Sequence, residues 1–243
     1  MEIPHVSRTI LARILPGLLV ALTAITGTAH AQTISPLVTE HATRAHGRVE
    51  LRNDADWPLD VVMEPRGFTV DESGELQDRP LAPGVRVRLS AMSLRIPPKQ
   101  TRYVFYEASS EVLPAWFVLY ASFRGFPAQQ FKGAAIQLEL PSVVYLLPKT
   151  TMKADEVSAR VLSFNPGDHS VVLEVANAGE QFARVMSSEV TGGGTVKAGS
   201  FPLLPHGVRR LELPWEGATA PETILLKTRT TAIRKALSPP AGQ

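Results

Sequence analysis

Four histidines, His41, His46, His169 and His206, could do acid–base or metal chemistry beyond the amino-terminal region. No two of them stand at a spacing that would place two imidazoles on one helix face or one metal-binding ribbon. They read as surface or turn residues. Cysteine is absent from the whole chain, which excludes thiolate nucleophiles, disulfides and thiolate metal sites. No Gly-x-Ser-x-Gly elbow, phosphate loop or dinucleotide fingerprint occurs. The run Gly192-Gly193-Gly194 sits between Thr191 and Thr195 in β-patterned sequence, with no helix to supply a dipole, and reads as a loop. These spacings predict a non-enzymatic protein that needs neither ATP, metal nor any other cofactor.

Rings are the other candidates for chemistry. Trp116, Phe117, Tyr120 and Phe123 fall on one apolar stretch. Trp116 shares a parity with Tyr120, and Phe117 with Phe123, so both faces of an extended strand carry rings. That pattern predicts a central strand covered on both sides. A sugar-binding platform on the Trp116 strand is the alternative.

The elements that would position such residues are strands. Twenty prolines in 243 residues exceed the usual share of about 5%, and long helical periodicity is scarce. In the first half, strands are expected at 37–41, 48–53, 59–67, 85–89, 101–107, 115–124 and 134–147. Turn chemistry at Asn53-Asp54-Ala55-Asp56, Asp71-Glu72-Ser73-Gly74 and Pro97-Pro98-Lys99 separates them. Further strands are expected at 159–164, 171–176, 183–190, 208–213 and 223–230. Arg48–Asn53 and Val172–Asn177 both run from an alternating strand into an Asn turn, a weak internal likeness. The expected fold is all-β, with two immunoglobulin-like β-sandwich domains over residues 32–148 and 149–243. The tail from Ser238 is expected to be disordered.

Charge and the amino terminus bound the setting. Lys plus Arg number 25 against 23 Asp plus Glu, scattered without a basic block, so no nucleic-acid partner is indicated. Arg8 and Arg13 precede the apolar run Ile14–Ile25, and Ala29-His30-Ala31 has the small-x-small form of a signal-peptidase site. Residues 1–31 are therefore expected to be a secretory signal peptide. The run is too short and too interrupted by Pro16 and Gly17 to give stable membrane insertion, which takes about 20 apolar residues.

The most informative stretch is Gly133–Pro148. Ile136, Leu138 and Leu140 alternate with Gln137 and Glu139, so an extended chain puts three aliphatic side chains on one face. A closing strand of this kind can offer an open edge to a partner.

The order of strands, the segment Leu94–Val104, the aromatic strand after it and the alternating strand ending in Val144-Tyr145-Leu146-Leu147-Pro148 together resemble the periplasmic pilus-assembly chaperones (PapD-like). Phe201–Arg210 is similar to the second-domain turn of some members. The resemblance implies a periplasmic protein that lends its last first-domain strand to an exported fimbrial or related surface subunit and delivers it to an outer-membrane usher. Ile136, Leu138 and Leu140 would be the subunit-binding residues, each contributing about 1.5–3 kcal/mol if fully buried.

One departure stands out. Better-known members carry an Arg on the first strand and a Lys on the last, which grip the subunit's terminal carboxylate. Counting back from Asn53 and Pro148 puts Leu37 and Val143 at those places. Arg44 and Lys149 lie close by and are the substitute anchors that the resemblance implies. The alternative reading is a structural or adhesive sandwich within a surface assembly.

Overall fold

The computed structural model describes residues 32–126 and 136–239. The expected signal peptide, 1–31, and the Gly133–Ala135 start of the alternating stretch lie outside the described residues.

Ten strands precede Pro148: β1 (Thr33–Ser35), β2 (Val38–Ala42), β3 (Arg44–Arg52), β4 (Leu59–Val70), β5 (Leu76–Arg79), β6 (Arg86–Leu89), β7 (Ser93–Ile96), β8 (Thr101–Ser109), β9 (Ala115–Arg124) and β10 (Leu138–Leu147). One sheet runs β1-β3-β8-β6, and the sheet facing it runs β2-β10-β9-β4-β5, with β7 also on β4. Alternation explains the sandwich. In β3, Ala45, Val49 and Leu51 are buried while Arg44, His46, Arg48 and Arg52 face solvent. Their inward neighbours from the other sheet are Leu59, Val61, Met63, Phe117, Leu119, Phe123, Val144 and Leu146.

A short 3-10 turn, Ala154–Glu156, leads into β11 (Val157–Asn165), β12 (Ser170–Asn177), β13 (Ala183–Gly192), β14 (Thr195–Ala198), β15 (Phe201–Leu203), β16 (Val208–Pro214), β17 (Pro221–Thr228) and β18 (Ala232–Ala236). Here β11-β12-β16 faces β14-β13-β17-β18, and β15 pairs with β13. Val161, Leu173, Val175, Val190, Leu203, Trp215, Ile224 and Leu226 fill the space between. The fold is thus all-β, two immunoglobulin-like sandwiches in tandem.

The twin Asn turns do equivalent work. Asn53 is fully buried; its Nδ2 donates to the carbonyls of Trp57, Ile96 and Pro97 at 2.8, 3.0 and 3.2 Å, and its Oδ1 accepts from Ala55 N–H at 2.9 Å. Asn177 donates to Gln181 O at 2.7 Å and Leu204 O at 2.9 Å and accepts from Gly179 N–H at 3.0 Å. Each amide ties its own turn to one distant loop at the end of a strand, satisfying carbonyls that burial would otherwise strand.

Most long strands start and stop close to the expected positions, though β3 begins at Arg44, four residues before the expected start. Six short ones, β1, β5, β7, β14, β15 and β18, were not legible, because three to five residues carry too little alternation to stand out. Two expectations need correction. β10 begins at Leu138, leaving Ile136 ahead of it. Ser238, the first residue of the expected disordered tail, is tied down, its carbonyl accepting the Val161 N–H at 2.9 Å, while residues 240–243 lie outside the described residues.

Candidate functional site

Two features converge on β10: a backbone edge left open, and a cleft where the sandwiches meet. The edge follows from how β2 pairs. β2 runs parallel to β10 only from Val38↔Val143 to Ala42↔Leu147. Before Val38 the chain switches sheets through Pro36, and β1 pairs with β3. Ser142 Oγ donates to Pro36 O at 2.7 Å where the ladder ends. From Leu138 to Ser142, β10 pairs with β9 on one side and has no ladder partner on the other among the described residues.

The orientation of this edge can be read from two hydrogen bonds. Val143 N–H donates to Leu37 O at 2.8 Å, and Leu147 O accepts from Thr43 N–H at 3.0 Å. Backbone groups alternate sides along a strand, so odd-numbered residues of β10 point outward and even-numbered ones point at β9. The open portion therefore presents the N–H and C=O of Glu139 and the C=O of Pro141, which has no N–H.

Leu138 and Leu140 share a parity with Val144 and Leu146, which are fully buried. Both leucines are half-buried and pack against the first core, while Ile136 is 37% exposed. The three are thus a continuation of the sandwich's own apolar face toward its open end. On the other face Glu139 accepts from Ser122 Oγ at 2.9 Å and pairs with Arg66 at 3.2 Å. Arg66 also holds Glu64 at 2.6 Å and Asp78 at 3.0 Å, and lies 4.6 Å over the Tyr120 ring. That network pulls the Glu64 carboxyl below its usual range, first through the Arg66 hydrogen bond.

At the junction, Phe68, Val118 and Tyr145 of the first sandwich pack with Phe182 and Leu204 of the second. Tyr145 and Phe182 stack with centroids 4.3 Å apart and planes at 23°. This covers the second face of β9, so the central strand is covered on both sides. Trp116 Nε1 donates to Phe68 O at 2.8 Å and the ring joins this cluster, so the Trp116 strand is not an open platform. A second contact braces the junction: the Asp71–Gly74 turn meets β16. Arg210 N–H and Arg209 Nη1 both donate to Glu72 O, at 2.7 and 3.0 Å, and the Arg210 guanidinium pairs with the Glu72 carboxylate at 2.7 Å.

Beside the Tyr145–Phe182 stack lies a cleft of about 260 Å³ whose lining includes Glu40, His41, Lys149, Phe182, Arg184 and Arg229. Glu40 is mostly buried and pairs with Arg229 at 3.7 Å. Burial pushes the Tyr145 phenol up; the Arg184 charge opposes that shift and the Glu40 charge adds to it. His41 Nε2 lies 3.0 Å from Tyr106 Oη, and burial holds its imidazole below the usual value. Three cations therefore share this cleft with one carboxylate.

Of the anchors expected from the sequence, Lys149 lines the cleft, whereas Arg44 opens β3 across from Ser109 and is not among the lining residues. Leu37 is 62% exposed. Arg184, Arg229 and Glu40 were missed. Nothing local marks them, since two come from the other sandwich. Among the described residues no three His, Asp or Glu side chains gather as metal ligands.

No protein-family model and no curated protein matches the sequence. Solved structures do. The chain is similar to one in the CsuC–CsuE chaperone–tip adhesion subunit pre-assembly complex of archaic chaperone-usher Csu pili from Acinetobacter baumannii, with 13% identity, 85% of this chain and 99% of that chain covered, and a TM-score of 0.52. The Salmonella enterica SafA pilin in complex with the SafB chaperone gives 12%, 86%, 97% and 0.52 in the same order. The E. coli chaperone DraB gives 13%, 84%, 97% and 0.50. The fold is therefore the two-domain, PapD-like fold of fimbrial and pilus chaperones.

Proposed function

We propose that this protein is a non-enzymatic periplasmic chaperone that holds an exported fimbrial or related surface subunit by lending it the open β10 edge, then passes it to an outer-membrane usher. The observation that carries the reading is that edge: a strand whose ladder stops halfway, with apolar Ile136, Leu138 and Leu140 along the uncovered part. The solved chaperones of the same fold with pilin and tip adhesion subunits support it. Strand addition suits the task because main-chain hydrogen bonds provide affinity while alternate side chains fill pockets in the client. A structural or adhesive role finds no separate feature in its favour.

The cleft extends the same reading. Lys149, with Arg184 and Arg229, offers cations for a client carboxylate where Leu37 and Val143 cannot. Arg44 would serve only a client reaching around the β3 edge.

The test is co-purification of exported β-rich subunits with this protein, read by mass spectrometry alongside thermal unfolding. Ile136→Glu is expected to leave the melting temperature within a few degrees and to abolish capture, because an unpaired charge would enter the client's groove. Leu138→Glu is expected to do the same at a cost of about 1–2 kcal/mol, the side chain being only half-buried. Undiminished capture by both variants sinks the strand-lending reading. Lys149→Glu combined with Arg184→Glu should weaken capture about tenfold without lowering stability.

Export carries its own check. No helix among the described residues is long and apolar enough to cross a membrane. Mass spectrometry of the periplasmic fraction is expected to find a chain starting at Gln32; the intact 243-residue chain in the inner membrane would overturn this.

A further inference from the structure

We infer that the open edge of β10 is built to refuse a second copy of itself, through Pro141 and the carboxylate network around Glu139, and so stays free for a foreign strand. The inference deepens the strand-lending reading and rests on it only for what the edge is kept free to do.

Consider two copies pairing edge to edge. Glu139 and Pro141 are the outward-facing residues of β10 short of the β2 ladder, because Val143 already donates to Leu37, and continuing the same alternation one residue past the start of the strand adds Gln137. The two-fold antiparallel register that uses all three is centred on Glu139, with Glu139 opposite its own mate and Gln137 opposite the mate's Pro141. In that register the central pair exchanges two hydrogen bonds. Each flanking pair would add two more, but Pro141 has no N–H, so one of every two is lost and the proline ring stands where the donor should be. A third of the possible bonds vanish. The Gln137 carbonyl of each copy is left facing a ring instead of a donor.

Charge acts against the same register. Directly opposed residues project to the same face, so the two Glu139 side chains would meet, and like charges placed directly across a pair destabilise it. Neutralisation by Arg66 is incomplete, since that one guanidinium already serves Glu64 and Asp78 as well as Glu139, three carboxylates to one cation. A foreign strand meets neither obstacle if it needs no acceptor opposite Pro141 and brings a basic or neutral residue opposite Glu139. The half-buried Leu138 and Leu140, on the other face, remain available to it.

Open edges are an association hazard that proteins blunt with proline and charge. Here both devices stand on the few residues left uncovered.

Sedimentation velocity on the mature chain, residues 32–243, tests the inference. The wild type is expected to stay monomeric through the micromolar range. Pro141→Thr, which restores a donor on a β-forming residue, is expected to dimerise at least about tenfold more tightly, and adding Glu139→Gln to tighten it further. Raising the salt concentration should strengthen association of the single variant, because it screens the opposed carboxylates, and should do little to the double. Placing proline at Glu139 in the Pro141→Thr background should return the monomer. The inference is overturned if both the single and double variants, folded by circular dichroism, associate no more than the wild type. A wild type that itself dimerises, and loses the dimer on Glu139→Pro, overturns it equally. Should Pro141→Thr fail to fold, Pro141→Ala restores the same donor with a smaller change and is judged by the same outcomes. Subunit capture is measured separately: its absence in the wild type would sink the strand-lending reading and leave the self-association result standing.

Discussion

Asn53→Ala and Asn177→Ala are each expected to cost about 3 kcal/mol or more, a fall in melting temperature of ten degrees or so, measurable by calorimetry. At Asn53 the change strands three carbonyls, those of Trp57, Ile96 and Pro97, and frees the Ala55 N–H. At Asn177 it strands the carbonyls of Gln181 and Leu204 and frees Gly179 N–H. Both sites are closed to water, at 0% and 2% exposure, so solvent cannot replace the lost partners without entering the loop. Asn53→Asp should fare little better, because the new carboxylate would face three acceptors with no proton to offer. A melting temperature within two degrees of wild type in both alanine variants would refute the bracing role.

Phe182→Ala has the second-largest expected effect, about 3 kcal/mol, and its consequence is positional as well as energetic. Phe182 is buried against Tyr145, Phe68 and Val118, so its loss opens a hole between the sandwiches rather than inside either. The brace at Glu72 is polar and partly exposed, and is expected to hold the junction only loosely by itself. Limited proteolysis between Pro148 and Lys153 should then become several-fold faster in Phe182→Ala than in the wild type. Gly74→Val is the companion. Gly74 has φ +94°, which a β-branched side chain strains, and a Cβ there would fall 1.9 Å from the Arg209 guanidinium, so that guanidinium has to swing aside and give up its hydrogen bond to Glu72 O. Unchanged cleavage rates in both variants would show that neither contact sets the junction.

The cleft depends on that junction. Lys149 follows β10, Arg184 sits in β13 and Arg229 in the turn after β17, so their grouping exists only while Phe182 keeps the sandwiches together. Phe182→Ala should therefore weaken any anion held there along with stability, whereas Arg184→Glu should affect the anion alone.

Much of this protein was legible in the linear chain because a β-strand writes its burial pattern with a period of two. Within Arg44–Arg52, Leu59–Val70 and Ser170–Asn177 alternation announces a more buried and a more open face residue by residue, and the doubled rings of Ala115–Arg124 announce a central strand. The recurrence of an Asn at the end of two such strands pointed to a repeated turn. Proline and the absence of cysteine set the class and excluded thiol chemistry.

Tertiary structure decided what alternation cannot. Whether the apolar residues of Leu138–Leu147 face a core or a partner depends on how far β2 extends along that strand, and β2 pairs with it across about a hundred residues of sequence. The aliphatic residues at 37 and 143 suggested a missing anion site; the cations that gather instead come from elements distant in the chain, brought together by the Tyr145–Phe182 stack. Local sequence sets the periodicity of a strand because each residue's face depends on its immediate neighbours. Edges, clefts and charge clusters are set by which strands end where, and only the packed chain settles that.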